Sequence, residues 1–328
     1  MNKHIMCMPE FESVLGNVIE DFISEKMACG YRYGTAAQLL RRFDRFLVES
    51  DWKTRALPKA LIENWTKRRE HESVLTHRNR FNITRQLLEF MRNRGLDVFV
   101  PDTRFVPIVR RAFAPYIYSQ EEMRRLIQAA DQLRPFPSSP ERHIVLPEVF
   151  RLLYGCGLRA GEALGLTLAD TDLDQGILTI RDAKFGKNRL VPIDPALTAR
   201  LKCMRKRLGN RSPRAFLFPA RNQERYAVSS ISCVFRGLLN KSGIPYQGRR
   251  KGPRLHDLRH TFAVHRMTMW YEGGIDLGAM LPILATYMGH QSLLSTQKYL
   301  HLTIQLIADM ADRLDGRFGD VIPGRNDR

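Results

Sequence analysis

The stretch LHDLRHTFAVH, Leu255–His265, sets two histidines and an arginine ahead of an apolar run. His256 and Arg259 stand three apart, so on a helix they share one face. His260, four from His256, shares it less directly. Leu258 and Phe262, four apart, supply another face that anchors the helix. Three readings compete. A metal site wants carboxylate or thiolate companions at workable spacing, as in HExxH, and an arginine neighbour would repel a cation. An ordinary helix start leaves His256 and Arg259 in solvent while Leu258 and Phe262 pack. The third reading is the cationic wall of a phosphate-handling site. Asp257 either caps the helix start or orients a neighbouring base.

Charge favours the third reading. The chain has 328 residues, with 52 Lys and Arg against 34 Asp and Glu, a formal net charge of +18. Such a balance suits a polyanionic partner, nucleic acid before an anionic membrane surface. Hydrophobic residues make up 44%, enough for sizeable cores in one to three domains. Cys7, Cys29, Cys156, Cys203 and Cys233 are scattered, with neither paired metal-ligand spacing nor an even framework. A reducing, cytoplasmic location is therefore expected. MNKHIMCMPE at the start lacks the apolar core of a signal peptide, and no run approaches the length of a membrane span.

Upstream, apolar stripes of period near 3.6 predict helices over Phe11–Met27, Tyr33–Val48, Leu61–Arg69 and Thr76–Arg94. Gly30 and Gly95 are plausible stops. These helices form an expected helical domain over residues 1–100. Pro101, Pro107 and Pro115, with Arg104, Arg110 and Arg111 between them, mark a linker at 101–117. A second domain is expected over 118–315, opening on the capping-box pair Ser119 and Glu122, with a frayed tail at 316–328. Helices are expected at Pro147–Tyr154, with Pro147 in the first turn, and at Glu162–Leu166, Ala196–Leu208, Ser229–Leu239 (capped by Ser229), Leu281–Met288 and Thr296–Met310. Ile177–Ile180 and Leu190–Ile193 read as β-strands around RDAKFGKN, a hairpin or small meander. The fold class is thus mainly α, a helical domain followed by a mixed α/β domain with a small β-hairpin or sheet.

Three further segments carry chemistry. In LLYGCGLRAGEALGL, Leu152–Leu166, Gly155 and Gly157 suggest a bend before Arg159, and Glu162 lies three beyond it. A carboxylate paired to that guanidinium can fix its fork toward two phosphate oxygens. Otherwise the two form a weak surface ion pair. In AKFGKNRLVPI, Ala183–Ile193, Lys184 sits at the hairpin tip as a potential proton donor, with Lys187 and Arg189 as rivals. In YMGHQSLLSTQKYLH, Tyr287–His301, His290 ends one helix and Tyr299 rides the next. A tyrosine can attack phosphorus and store the bond as phosphotyrosine, given cations and proton acceptors around it. Alternatively Tyr299 packs over Leu302, and Tyr287 competes by residue type.

In order and spacing these four segments resemble the tyrosine recombinase, or phage integrase, family. GLRAGEALGL resembles its first arginine box, making Arg159 the first catalytic arginine and Glu162 its acidic support. KFGKNRLVPI resembles the β-hairpin lysine region, where Arg189 sets the register and Lys184 is the match. HDLRH resembles the second box, with His256 and Arg259, and MGHQSLLSTQKY the third, with His290 and the nucleophile Tyr299. The resemblance spans roughly Tyr118 to His301, and the first domain resembles the family's core-binding domain less specifically. A short stretch before the catalytic domain suggests a simple two-domain member, like Xer-type or mobile-element integrases, without an arm-binding domain.

The resemblance implies a site-specific recombinase that cuts double-stranded DNA through a 3′-phosphotyrosyl bond and a Holliday junction, without metal or cofactor. It implies a homo-tetramer, or a hetero-tetramer with a partner recombinase, on DNA and not on a membrane, inside a bacterial cytoplasm. The expected roles are charge stabilisation by Arg159 and Arg259, donation to a nonbridging oxygen by His290, proton transfer at the nucleophile by His256, and leaving-group protonation by Lys184. His260 is expected to be structural. Arg104, Arg110, Arg111, Arg249, Arg250 and Lys251 are candidate backbone contacts. Competing readings are a type IB topoisomerase-like relaxase and a non-catalytic DNA-binding protein.

Overall fold

The computed structural model describes residues 10–31, 33–105, 115–181, 188–246, 248, 252–290, 292 and 294–304. The chain divides into two compact units, residues 1–113 and 114–328. Lys184, Arg110, Arg111, Arg249, Arg250 and Lys251 lie outside the described residues.

In the first unit, α1 (Gly16–Ala28), α2 (Gly34–Glu49), α3 (Lys59–Thr66) and α4 (Val74–Asn93) surround one apolar core. Ile19, Phe22, Leu40, Phe43, Trp65, Leu87 and Met91 fill it, as the 3.6-residue stripes require. The helix expected from Phe11 starts five residues later. The buried Asp44 carboxylate on α2 accepts the Glu12 and Ser13 amides at 2.7 and 3.1 Å, which holds that stretch in a turn. Helix α3 stops at Thr66 rather than Arg69. Buried side chains of α4 claim the carbonyls that would cap it: Arg80 donates to Trp65 O and Lys67 O, and His77 Nε2 to Thr66 O.

The second unit is built around α6 (Arg142–Cys156), which packs against α5 (Gln120–Asp131), α8 (Pro195–Leu208) and α10 (Asp257–Glu272). The remaining named helices are α7 (Ala160–Leu164), α9 (Val228–Lys241) and α11 (Leu277–Met288); residues 294–304 are also helical. Ser119 and Glu122 cap α5 reciprocally at 3.1 and 2.8 Å. Strands β1 (Thr171–Asp172), β2 (Ile177–Ile180) and β3 (Arg189–Pro192) form an antiparallel meander in that order, with Leu178 opposite Thr171 and Val191. The architecture is mainly helical with one small antiparallel sheet.

Two local expectations change. Pro147 is the sixth residue of α6, not part of its first turn. Val145 and Leu146 are buried, and their burial carries the helix back to Arg142 despite the hydrogen bond that proline forfeits. Ser229 does not cap α9. That helix begins at Val228 behind Ala227, without a side-chain cap. No described helix is long and apolar enough to cross a membrane.

Candidate active site

Four separated segments of the second unit converge. Arg159 occupies the N-cap position of α7, and Glu162 one turn on accepts both the Arg159 amide, at 3.0 Å, and its Nη1, at 2.7 Å. The same carboxylate takes a fork from Arg189 on β3, Nη1 to Oε1 at 3.1 Å and Nη2 to Oε2 at 2.8 Å. Glu162 therefore orients two guanidiniums. Arg189, which the sequence offered only as a rival proton donor and a register mark, belongs to this cluster.

Arg159 Nη2 donates to Gly289 O at 3.0 Å, across 130 residues. Arg259, on the first turn of α10 and 2% exposed, donates to Gly157 O and Met288 O, both at 2.7 Å. The ends of α6 and α11 thus supply the carbonyls that aim Arg159 and Arg259. Gly157 and Gly289 end those helices in the left-handed region, at φ 58° and 68°. Gly157 also has no room for a side chain, since a Cβ would lie 2.3 Å from Phe262 Cδ1.

Tyr299, at 1% exposure, belongs to the cluster of Phe262, Val264, Met267, Leu284 and Met288. Its hydroxyl lies 2.9 Å from His260 Nδ1. His256 instead sets its ring edge-on to His260, centroids 4.8 Å apart. The His290 ring stacks on Tyr299 at 5.9 Å and 19°, with Nδ1 2.8 Å from Thr296 Oγ1. Lys298 Nζ lies 5.3 Å over the Tyr299 ring. Asp257 is buried and accepts the Arg254 amide at 2.9 Å, so it pins the entry to α10. Arg159 and His256 open onto a cleft of about 470 Å³, walled also by Ser232, Arg236 and Tyr246.

Arg159, Glu162, His256, Arg259, His290 and Tyr299 therefore gather at one place. Arg104 lies in the first unit, exposed, and pairs with Asp102 at 2.8 Å. Sequence spacing did not reveal that His260 contacts the Tyr299 hydroxyl. Its signal was present in the run HDLRH, one residue beyond the arginine, but which side chain it would meet was not.

The electrostatics suit an anion. Burial opposes ionisation of Glu162, yet the hydrogen bonds and charge of Arg189, then those of Arg159, hold its pKa at about 2. Burial, then repulsion from Arg159, lowers Arg259 to about 10, so it stays cationic near neutrality. Burial and surrounding cations push His256 to about 4, and His260 and His290 to about 3 each. All three are neutral imidazoles near pH 7, able to accept or share protons. Burial raises the Tyr299 phenol, with Arg259 opposing. Burial and Arg259 lower Lys298. The arrangement offers two fixed cations for a phosphate beside a protonated phenol and neutral bases.

Residues 117–305 match the model of the phage integrase family. The chain is 31% identical, over 94% of its length and 99% of the relative's, to y4rB of Sinorhizobium fredii, provisionally named an integrase/recombinase. It is 32% identical to the tyrosine recombinase XerA of Pyrococcus furiosus over 61% of this chain and 62% of that one. The fold is shared with XerH site-specific recombinase bound to difH substrate (TM-score 0.61, 19% identity, 84% of this chain and 78% of that). It is shared also with the Tn1549 transposon integrase bound to transposon DNA (TM-score 0.61, 16% identity, 86% and 94%). On the family match and the near-full-length relative, this chain belongs to the phage integrase family, the tyrosine recombinases.

Proposed function

We propose that this chain is a site-specific DNA recombinase that cuts and rejoins double-stranded DNA with Tyr299 as nucleophile. The observation that carries the reading is the juxtaposition of a buried phenol with Arg259, which is itself held beside the Arg159–Glu162–Arg189 cluster. Tyr299 Oη attacks the scissile phosphate and forms a 3′-phosphotyrosyl bond, releasing a 5′-hydroxyl. The 5′-hydroxyl of a partner strand then displaces Tyr299, and two rounds pass through a Holliday junction. The energy of the phosphodiester is kept in the protein–DNA bond.

Arg159 and Arg259 stabilise charge on the nonbridging oxygens, an effect commonly worth about 2.7–4 kcal/mol per rigid donor. His290 donates to the same oxygens, and Lys184 protonates the leaving 5′-oxygen. Strand exchange between two sites calls for a tetramer of this chain, alone or with a second recombinase. The net charge of +18 supports affinity for the backbone of both duplexes. Arg104, Arg110, Arg111, Arg249, Arg250 and Lys251 are proposed backbone contacts. The proposed setting is the bacterial cytoplasm.

The test is covalent trapping on nicked suicide substrates drawn from DNA flanking the gene. Wild-type protein should form a protease-sensitive 3′ adduct that Tyr299→Phe abolishes. An active wild-type preparation that forms no adduct would sink the reading. Relaxation of single plasmids without exchange between sites would favour a topoisomerase-like enzyme.

A further inference from the structure

His260 is the histidine in contact with the Tyr299 hydroxyl, Nδ1 to Oη at 2.9 Å, and both groups are buried at 4% and 1% exposure. His256, three residues before the arginine, turns its ring against His260 instead. The contact joins α10 to the helical stretch 294–304 across 39 residues. With its proton on Nε2, the His260 ring presents a lone pair at Nδ1 to the phenolic proton. The groups that act on its charge include His256 and Arg259 on its own segment, Arg254 before it, and Lys298 beside the tyrosine. Burial first, and then these groups, disfavour an imidazolium in the free protein. A DNA phosphate seated between the arginines offsets that positive field and makes the ring more basic when substrate is present.

We propose that His260, rather than His256, is the proton acceptor for Tyr299 in cleavage and returns the proton in ligation. This rests on the recombinase reading above. As Oη bonds to phosphorus, its proton moves to His260 Nδ1. The P–O5′ bond breaks, its electron pair stays on O5′, and O5′ takes a proton from the general acid, Lys184 in the scheme above. In ligation a 5′-hydroxyl attacks, Tyr299 leaves with its electron pair, and His260 gives the proton back. His256, one ring away, holds the His260 plane rather than touching the nucleophile.

The experiment uses the full chain on a suicide substrate that wild type cleaves, comparing His260→Ala and His260→Asn. Loss of a general base should slow adduct formation by about 100-fold or more while DNA binding in a mobility-shift assay is retained. The same defect should persist on a 5′-bridging phosphorothiolate, whose sulfur leaves without a proton. Difluorotyrosine at position 299, with a more acidic phenol, should recover most of the lost rate; a packing role would not respond to phenol acidity. Wild-type-like rates within about threefold in either variant overturn the proposal, as does rescue of the variants by the phosphorothiolate, which would place His260 at the leaving group. If alanine unfolds the unit, the asparagine variant, which keeps a hydrogen-bond acceptor, decides between the same outcomes. Absence of any wild-type adduct would instead defeat the recombinase reading itself.

Discussion

Arg189 on β3 and Glu162 on α7 meet through two parallel hydrogen bonds, at 3.1 and 2.8 Å, and each side chain is only 10% exposed. The same carboxylate holds Arg159. A cation that opens onto the cleft and a more deeply buried one are thus braced by a single carboxylate. Replacing Glu162 with Gln leaves two guanidiniums facing each other without a counter-charge. Glu162→Gln should lower unfolding free energy by about 2–3 kcal/mol, read by urea titration, because a desolvated ion pair has lost one member. Adduct formation should fall at least about tenfold as Arg159 loses its orientation. Unchanged stability would show that Arg189 is anchored by the Tyr287 carbonyl alone.

Gly157 tests the backbone side of the same design. Its carbonyl accepts from Arg259, its φ is +58°, and a Cβ would lie 2.3 Å from Phe262. Gly157→Ala should cost about 3 kcal/mol through combined backbone strain and overpacking, and cleavage should fall with it. Gly30 is the control. It has φ +84° with nothing within 4 Å of an added Cβ, so Gly30→Ala should cost only about 1 kcal/mol. Equal melting temperatures for the two variants would contradict the close contact.

Acid should weaken the second unit. His256, His260 and His290 titrate near 6.5 in an unfolded chain and at about 4, 3 and 3 when folded. Between those values the unfolded chain binds protons that the folded site refuses, so stability rises with pH there. The histidine contribution is fully present above about pH 6.5 and is lost as pH falls toward 4 and then 3. Glu162 acts in the same direction lower down: its contribution is present above 4.5 and lost toward 2. Thermal midpoints should hold from pH 7.5 to about 6.5 and then drop toward pH 4.5, and His290→Asn should flatten that slope. A midpoint that rises on acidification over this range would contradict the depressed imidazoles.

The first unit depends on another buried charge. Arg80 pairs with Glu72 at 2.6 Å, donates to the carbonyls ending α3, and lies 5.2 Å from the Trp65 ring. Arg80→Ala strands the Glu72 carboxylate and frees the α3 end, which should cost about 3–5 kcal/mol. Hydrogen exchange should show lost protection in α3 and α4. Protection of α6, in the other unit, should be unaffected.

Much of this molecule is local and was therefore legible. Ser119 and Glu122 cap α5 because a three-residue spacing suffices. Ile177–Ile180 pairs with Arg189–Pro192, where two short β-like runs around a polar turn predict a hairpin. The Arg159–Glu162 bond likewise needs one helical turn. Pro147 misled because a proline's tolerance depends on what its neighbours bury, and that is not local.

Order and spacing along the chain, through the resemblance to the tyrosine recombinases, nominated Arg159, Glu162, His256, Arg259, His290 and Tyr299, where residue chemistry alone left rivals such as Tyr287. The partnerships that give them their properties span 27 residues for Arg189 and Glu162, 39 for His260 and Tyr299, 102 for Arg259 and Gly157, and 130 for Arg159 and Gly289. No periodicity encodes such pairings. They arise when α6, α10 and α11 bury their apolar faces together and leave two helix ends aimed at one point. Only that packing decided which histidine reaches the phenol, and only the resulting desolvation decided that the imidazoles beside it are neutral.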